Sequence, residues 1–389
     1  MAPDRLAYCL PGAYFLSFAF IGVFAPYFSL YLHDAGLAAQ DIATLIVAMQ
    51  SMRLLAPALW GILADRRGMR GSAIGLSVLG SLCGLSAFMA TDSFRGMFLA
   101  MVVLSFFWSA TPPLLETATF AHLGDRLPRY AAIRLWGSLG TLAAALAVGQ
   151  LLNTYPVGIV PWACWLILLA LLPVSFMLPA ATPGRQSRGD TWSQFRQALA
   201  QPAVVAILSA GFFMAAAHGA LTVFYSIHLS QHGYQASTIG LLWTLGVASE
   251  IAFFMLMPRL NPRLASNLLW MLCFAAAALR FSLIGWWVEW IAVAVFAQLL
   301  HALSFAAHHA LSVSLINRSF PEKHAARGQA IYATGQGAGA LAGGLTSGFL
   351  WGMVGGSWTF TASATLAFAG MLIAGFSAAN AIGGSRKRS

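Results

Sequence analysis

Arg53, Glu116, Arg134, Glu250, Arg280 and His301 each stand within a long apolar stretch of this sequence. A charged side chain inside hydrocarbon costs about 2.5–3.5 kcal/mol on insertion scales, so such groups persist when they are paired, face water, or are used. Glu250, Arg280 and His301 occupy three consecutive stretches and combine a carboxylate, a guanidinium and an imidazole. That set can hold an anion and pass a proton, because imidazole changes charge near neutral pH. Glu289, near the outer end of the tenth stretch, offers Arg280 a different partner. Glu116 and Arg134 lie on neighbouring stretches. Adjacent antiparallel helices would bring them to similar depth, as an ion pair facing a cavity or as a structural lock between two helices. Arg53 is midway along its stretch, too deep to snorkel to the interface. It would pair with Glu250, hold a substrate carboxylate, or tie two halves of the protein together.

Other candidates carry less. His218 and Tyr225 are seven residues apart, on one face of a continuous helix, and would line a cavity or make an interhelical hydrogen bond. His308 and His309 are adjacent and would point about 100° apart on a helix, so no metal site is expected. Gly335, Gly339 and Gly343, like Gly137, Thr141, Ala145 and Gly149, form small-residue stripes that let helices approach closely. No strand precedes the glycines, and no Gly-Lys-Ser/Thr phosphate loop is present, so nucleotide binding and ATP as a driver are not expected. The buried groups lack a nucleophile–base pair, so the chain does not read as an enzyme, and no cofactor is implied. Cys9, Cys83, Cys164 and Cys273 lie in apolar stretches and read as small buried hydrophobes.

The elements that must position these groups follow from composition. Of 389 residues, 59% are hydrophobic and 8% are charged, against about 25% charged in soluble proteins. The bilayer is therefore the expected solvent, and a spanning helix needs about 20 apolar residues. Apolar runs fall near 7–32, 40–64, 72–91, 96–122, 130–152, 159–179, 202–229, 238–258, 266–286, 289–316, 328–352 and 358–382. All are expected to be helices, since lipid offers no partner to an open strand. The first run is long enough to remain as a helix, and no cleavage site marks it as a signal peptide. With the N-terminus inside, all but three of the 21 Lys and Arg fall in inner segments; Arg95 is in an outer loop, and Arg53 and Arg280 are within runs. This bias obeys the positive-inside rule and puts both termini in the cytoplasm. The net charge of +10 thus sets topology, and nucleic acid is not an expected partner. Trp286, Trp287 and Trp290 read as interfacial girdle residues. A polar segment at 181–200 divides the chain into six-helix bundles at 1–180 and 201–389. Trp136 and Tyr332 open corresponding helices, and the same offset sets Arg53 beside Glu250. Such duplicated halves place a substrate site between them.

Between the second and third runs the chain reads Gly61-Ile-Leu-Ala-Asp65-Arg66-Arg67-Gly68-Met-Arg70. This resembles the cytoplasmic loop signature of the major facilitator superfamily and implies its fold: all-α and polytopic, with twelve transmembrane helices in two pseudo-symmetric halves. Gly61, Asp65, Arg66, Gly68 and Arg70 would then form a gating loop. "RLWGSLG" at Arg134–Gly140, "HGYQASTIGLLWTLGVASEI" at His232–Ile251 and "LLHALSF" at Leu299–Phe305 resemble the 3-phenylpropionate permease branch, itself similar to the lactose permease group of proton symporters. The resemblance implies a monomeric bacterial inner-membrane transporter that takes up a small organic substrate with protons. It implies substrate binding by Arg53, Glu116, Arg134, Arg280, His218 and Tyr225, and proton coupling by Glu250 and His301. One departure stands out. The group has a proton-carrying Glu three residues after the His, where this chain has Ser304. Glu250 is then the remaining carboxylate for the proton. A sugar, nucleoside or exported drug would fit the same fold, and a ligand sensor that does not transport would keep the pocket without the coupling carboxylate. The short tails, with no signalling domain, disfavour the sensor.

Overall fold

The computed structural model describes residues 3–67, 73–123, 128–178, 199–257, 266–320 and 325–386. Among them every regular element is helical: α1 (Pro3–Asp34), α2 (Ala39–Arg67), α3 (Ala73–Met89), α4 (Phe94–Trp108), α5 (Thr111–Leu123), α6 (Pro128–Leu151), α7 (Ile159–Phe176), α8 (Pro202–Ala217), α9 (Gly219–Gln231), α10 (Ala236–Leu256), α11 (Ser266–Trp287), α12 (Ile291–Leu299), a π-helical segment (Ala302–Ala307), α13 (His308–Ser319) and α14 (Ala325–Arg386). Nine stretches among the described residues are long and apolar enough to cross a membrane. The longest, Arg327–Gly375, is divided at Gly355, where φ is +80° and the helix breaks. With α2 and the shorter apolar α3 carrying the second and third runs, the architecture agrees with the expected all-α polytopic fold of twelve spans.

Local chemistry explains several boundaries. Ser93 caps α4 by accepting from the Gly96 amide at 3.2 Å. Beyond Asp34 the chain leaves α1 through Gly36 at φ +80°, and the Leu37 amide reaches back to the Leu32 carbonyl at 3.2 Å. A glycine takes this left-handed geometry without a Cβ clash, and the returning bond satisfies an orphan carbonyl. Three of the apolar runs are not single helices. The fourth breaks at Ser109–Ala110 between α4 and α5, the seventh at His218 between α8 and α9, and the tenth passes through the π-helical segment. Pro112 and Pro113 sit in the first turn of α5, where a missing amide proton costs little.

The chain forms two compact units: Met1–Gln186 with Gly233–Thr244, and Ser187–His232 with Leu245–Ser389. In the first, α1 packs along α6 and α7, and α3 along α4 and α7. Two members of the small stripe on α6 lie at the close approach: a Cβ on Gly137 would meet the Phe18 ring, and one on Gly22 would collide with the Thr141 backbone; beside the stripe, Gly140 abuts the Phe15 backbone. Nearby, the Tyr27 hydroxyl donates to the Ala145 carbonyl at 2.6 Å. In the second unit α14 packs along α8, α11 and α9. There Gly339 abuts the Phe212 backbone and Gly343 that of Ala216. Large apolar side chains such as Leu99, Met255 and Met353 face outward, as lipid permits and water would penalise.

Candidate functional site

The second unit gathers a polar cluster inside its apolar helices. Arg280 on α11 is 1% exposed, the only charged side chain among the fully buried residues described. Its Nη1 donates to His301 Nδ1 at 2.7 Å and to Ser304 Oγ at 3.3 Å, and its Nη2 donates to Gln298 Oε1 at 3.0 Å. On the far side of the imidazole, His301 Nε2 lies 2.5 Å from Glu250 Oε1 of α10. Gln298, His301 and Ser304 follow one another at three-residue spacing, so the end of α12 and the start of the π segment present them on one face toward α11. Single-turn π insertions of this kind commonly mark functional positions. Glycine permits the approach from α10: a Cβ on Gly246 would lie 2.9 Å from Gln298 Oε1 and 3.4 Å from His301 Cδ2. Ser249 Oγ, on the residue before Glu250, donates to the Gly246 carbonyl at 2.7 Å.

These contacts fix the protonation pattern of the imidazole. A guanidinium only donates hydrogen bonds, so His301 Nδ1 presents its lone pair to Arg280. The ring proton is therefore on Nε2 and is donated to Glu250. The result is a cation, a neutral ring and a carboxylate in series, with the two charges offset inside a low-dielectric interior. Such a buried ion pair is stabilised by its additional hydrogen bonds. Phe281 and Phe305 wall the cluster. Arg280 Cζ lies 5.7 Å from the Phe281 ring centroid, and the Phe305 ring stacks on His301 at 5.1 Å. His218, at the break between α8 and α9, meets Phe281 edge-on at 5.0 Å and Phe305 at 6.1 Å.

The first unit holds a smaller polar group on α1, α5 and α6. Arg134 lies 4.1 Å over the Phe18 ring and 5.9 Å from that of Tyr14. Glu116 accepts the Tyr130 hydroxyl at 3.3 Å, and Tyr130 stacks on Phe120 at 4.7 Å. No ion pair within 4.0 Å joins Glu116 and Arg134 among the described residues. The expected direct pairing is replaced by a cation over an aromatic face, an attraction worth about 0.5–2 kcal/mol.

Sequence reasoning named Glu250, Arg280 and His301 together, and the structure joins them in one chain. It missed Gln298 as a partner of Arg280, although an amide one turn before a buried His, in an otherwise apolar run, is a readable signal. It read Ser304 as a lost carboxylate, and here Ser304 accepts from Arg280. His218 and Tyr225 do not share one unbroken helix, because the seventh run breaks at His218. His218 nonetheless borders the cluster, and Tyr225 is buried within electrostatic range of Arg280. Glu289 is exposed and acts on His228. Arg53 lies in α2 with its side chain outside the described residues, as are the side chains of Gly61, Asp65 and Arg66. Gly68 and Arg70 are outside them altogether.

Comparison with known proteins gives these features a context. The sequence model of the MFS_1 like family matches residues 8–362. A probable 3-phenylpropionic acid transporter of Escherichia coli (strain K12) is 25% identical over 308 residues, 78% of this chain and 80% of that protein. The maltose permease of Geobacillus stearothermophilus is 30% identical over 275 residues, 69% of this chain and 68% of the permease. Among solved structures, a point variant of the nucleoside transporter NupG superposes with a TM-score of 0.82 at 18% identity, covering 94% of this chain and 98% of that one. At that identity the likeness establishes the fold alone; that the chain is a transporter rests on the family match over residues 8–362 and on the 30% identical permease.

Proposed function

The chain belongs to the MFS_1 like family, a multi-pass membrane transporter for small molecules, and from that premise we propose that it takes up a small aromatic carboxylate together with protons by alternating access. The observation that carries the reading is the Arg280–His301–Glu250 series within apolar helices. It pairs an anion-binding group with a carboxylate that can take a proton, linked by a ring of fixed tautomer. The E. coli relative named for 3-phenylpropionic acid supports the cargo class, as do the aromatic walls Phe281 and Phe305 beside a cation. In this reading the six-helix halves 1–180 and 201–389, joined by the 181–200 loop, rock about the bound substrate. Arg53, Arg134 or Arg280 meets the carboxylate, and Glu116, His218 and Tyr225 complete the site. Glu250 and His301 couple the proton, and Gly61, Asp65, Arg66, Gly68 and Arg70 gate the inner side. Substrate and proton bound together neutralise the interior and release the rocking motion. The protein works as a monomer in a bacterial inner membrane with both termini in the cytoplasm.

A second reading keeps the fold and changes the cargo to a sugar. Two observations favour it: the maltose permease is the more identical relative, at 30%, and three protein acceptors already occupy Arg280. External pH in lightly buffered, de-energised cells discriminates the two as 3-phenylpropionate, cinnamate, maltose, lactose and a nucleoside are added in turn. Transient alkalinisation with an aromatic acid, absent in Glu250→Gln and in cells lacking the protein, is the expected result. Alkalinisation with a sugar alone refutes the aromatic cargo. Unchanged alkalinisation in Glu250→Gln removes that residue from the proton route.

A further inference from the structure

The division between the two compact units falls inside α10. Its start, within Gly233–Thr244, belongs with Met1–Gln186, and the remainder, from Leu245 and including Glu250, belongs with the second unit. The first turns of α10 thus pack with the part of the chain that precedes the polar segment at 181–200. A buried phenol marks the junction. Tyr27 of α1 is 0% exposed, and its hydroxyl has backbone acceptors on two other helices: the Ala145 carbonyl of α6 at 2.6 Å and the Ala236 carbonyl of α10 at 3.4 Å. A phenol has one proton, so the short bond to α6 holds most of it and α10 takes the weaker share. Glycine clears the crossing. A Cβ on Gly149 of α6 or on Gly240 of α10 would collide with the hydroxyl, and the one on Gly240 would also stand 2.8 Å from the Ala145 carbonyl. At the exposed rim the Ser237 amide, in the first turn of α10, donates to Asn153 Oδ1 at 3.4 Å. The small stripe on α6 therefore has two uses: Gly137 and Thr141 meet α1, and Ala145 and Gly149 meet the place where Tyr27 touches α10.

These bonds are graded so that α10 can part from its seat. If its first turns lift away, Tyr27 keeps the 2.6 Å bond to Ala145. The Ser237 amide is one of the orphan donors of a helix start, which water satisfies. No buried polar group is stranded, and stranding is the main cost of breaking a polar contact. A permanent joint would gain from the reverse arrangement, with the short bond made to α10. We propose that the first two turns of α10 are a detachable cover on the outer end of the first unit, that the Tyr27 hydroxyl is its latch, and that release of this latch opens the outer side. The inference rests on the alternating-access reading and names the residue that sets how often that side opens. Gly240 stands ten residues before Glu250 on the same helix, about 15 Å along its axis. A cover that lifts therefore also moves the helix that bears the proton-coupling carboxylate.

The experiment needs no transported solute. Spin labels at Thr154→Cys and Gln235→Cys, both exposed and beside the Asn153–Ser237 tie, report the separation of α6 from the start of α10. Pulsed electron resonance is recorded on the full chain in lipid, with Cys9 and Cys83, the two cysteines that are not buried, replaced by alanine. With Tyr27 and Gly240 unaltered, a short separation should dominate. Tyr27→Phe keeps the ring and should raise the ratio of long to short separations about two- to fivefold, as the loss of one weak hydrogen bond does. Gly240→Ala should raise it at least about tenfold, because overpacking penalises the seated state alone. In the Gly240→Ala background Tyr27→Phe removes the oxygen with which the new methyl collides, so there it should lower the ratio. The same substitution thus changes sign, which a general loss of packing would not produce. Unchanged separations in both single variants, or no reversal in the double variant, overturns the latch. Solute-driven alkalinisation that persists while the separations never respond would remove the latch and leave the transport reading. Separations that respond as stated in a protein that moves no solute would do the converse.

Discussion

Removing Arg280 and Glu250 singly and together tests whether the buried cluster is one electrostatic unit. Arg280→Met deletes three hydrogen bonds, of 2.7, 3.3 and 3.0 Å. It leaves Glu250, whose side chain is 21% exposed, as a carboxylate facing a neutral ring. Glu250→Gln keeps an oxygen for His301 Nε2 but leaves the fully buried guanidinium without a counter-charge. Breaking one partner of a buried pair costs about 3–5 kcal/mol, because it strands the other charge, whereas replacing both is often close to neutral. The single variants are therefore each expected to lose about 3–5 kcal/mol, and the double variant to lose at least about 2 kcal/mol less than their sum. Helicity measured as the mole fraction of sodium dodecyl sulfate rises in mixed micelles gives the four stabilities. Losses that add to within about 0.5 kcal/mol, the usual result for sites that do not interact, would refute both the pairing and the tautomer assigned to His301.

Two further outcomes follow from the backbone. Gly343→Leu places a side chain against the Ala216 backbone, so it should destabilise the α8–α14 contact by about 1–3 kcal/mol as overpacking does; thermal stability in detergent checks this, and Gly335→Ala, whose nearest contact is 3.8 Å, should be tolerated. Gly355→Ala has open space around it but sits at φ +80° and ψ −178°, backbone that essentially only glycine adopts, so a backbone term of about 1–3 kcal/mol remains, and a loss much larger than that in the same assay would point to a contact the structure does not contain.

Much of this protein was legible before its coordinates. The 59% hydrophobic content and the sidedness of Lys and Arg report directly on the bilayer, because burial in lipid leaves no other home for such a chain. The Glu250, Arg280 and His301 trio was legible for the same reason: charge in an apolar run is expensive enough that each instance carries information. The interruptions at Ser109 and His218 and the π segment were not. Residues 302–307, Ala-Leu-Ser-Phe-Ala-Ala, favour a helix of any pitch, and the choice among pitches is made by what α11 presents across the interface. The separation of Glu116 from Arg134 was equally hidden, since Phe18 competes for the guanidinium from α1, more than a hundred positions earlier in the chain.

The π segment has a genetic corollary. A π segment holds one residue more than the α-helical stretch it replaces, so losing one codon anywhere between Ala302 and Ala307 would let the stretch return to regular pitch with its two flanks still in phase. Gln298 and His301 would keep their face toward Arg280, and His308 its place beside Ser312. A second lost residue would find no such reserve and would turn one flank against the other by about 100°. The π segment thus gives this helix one residue of slack.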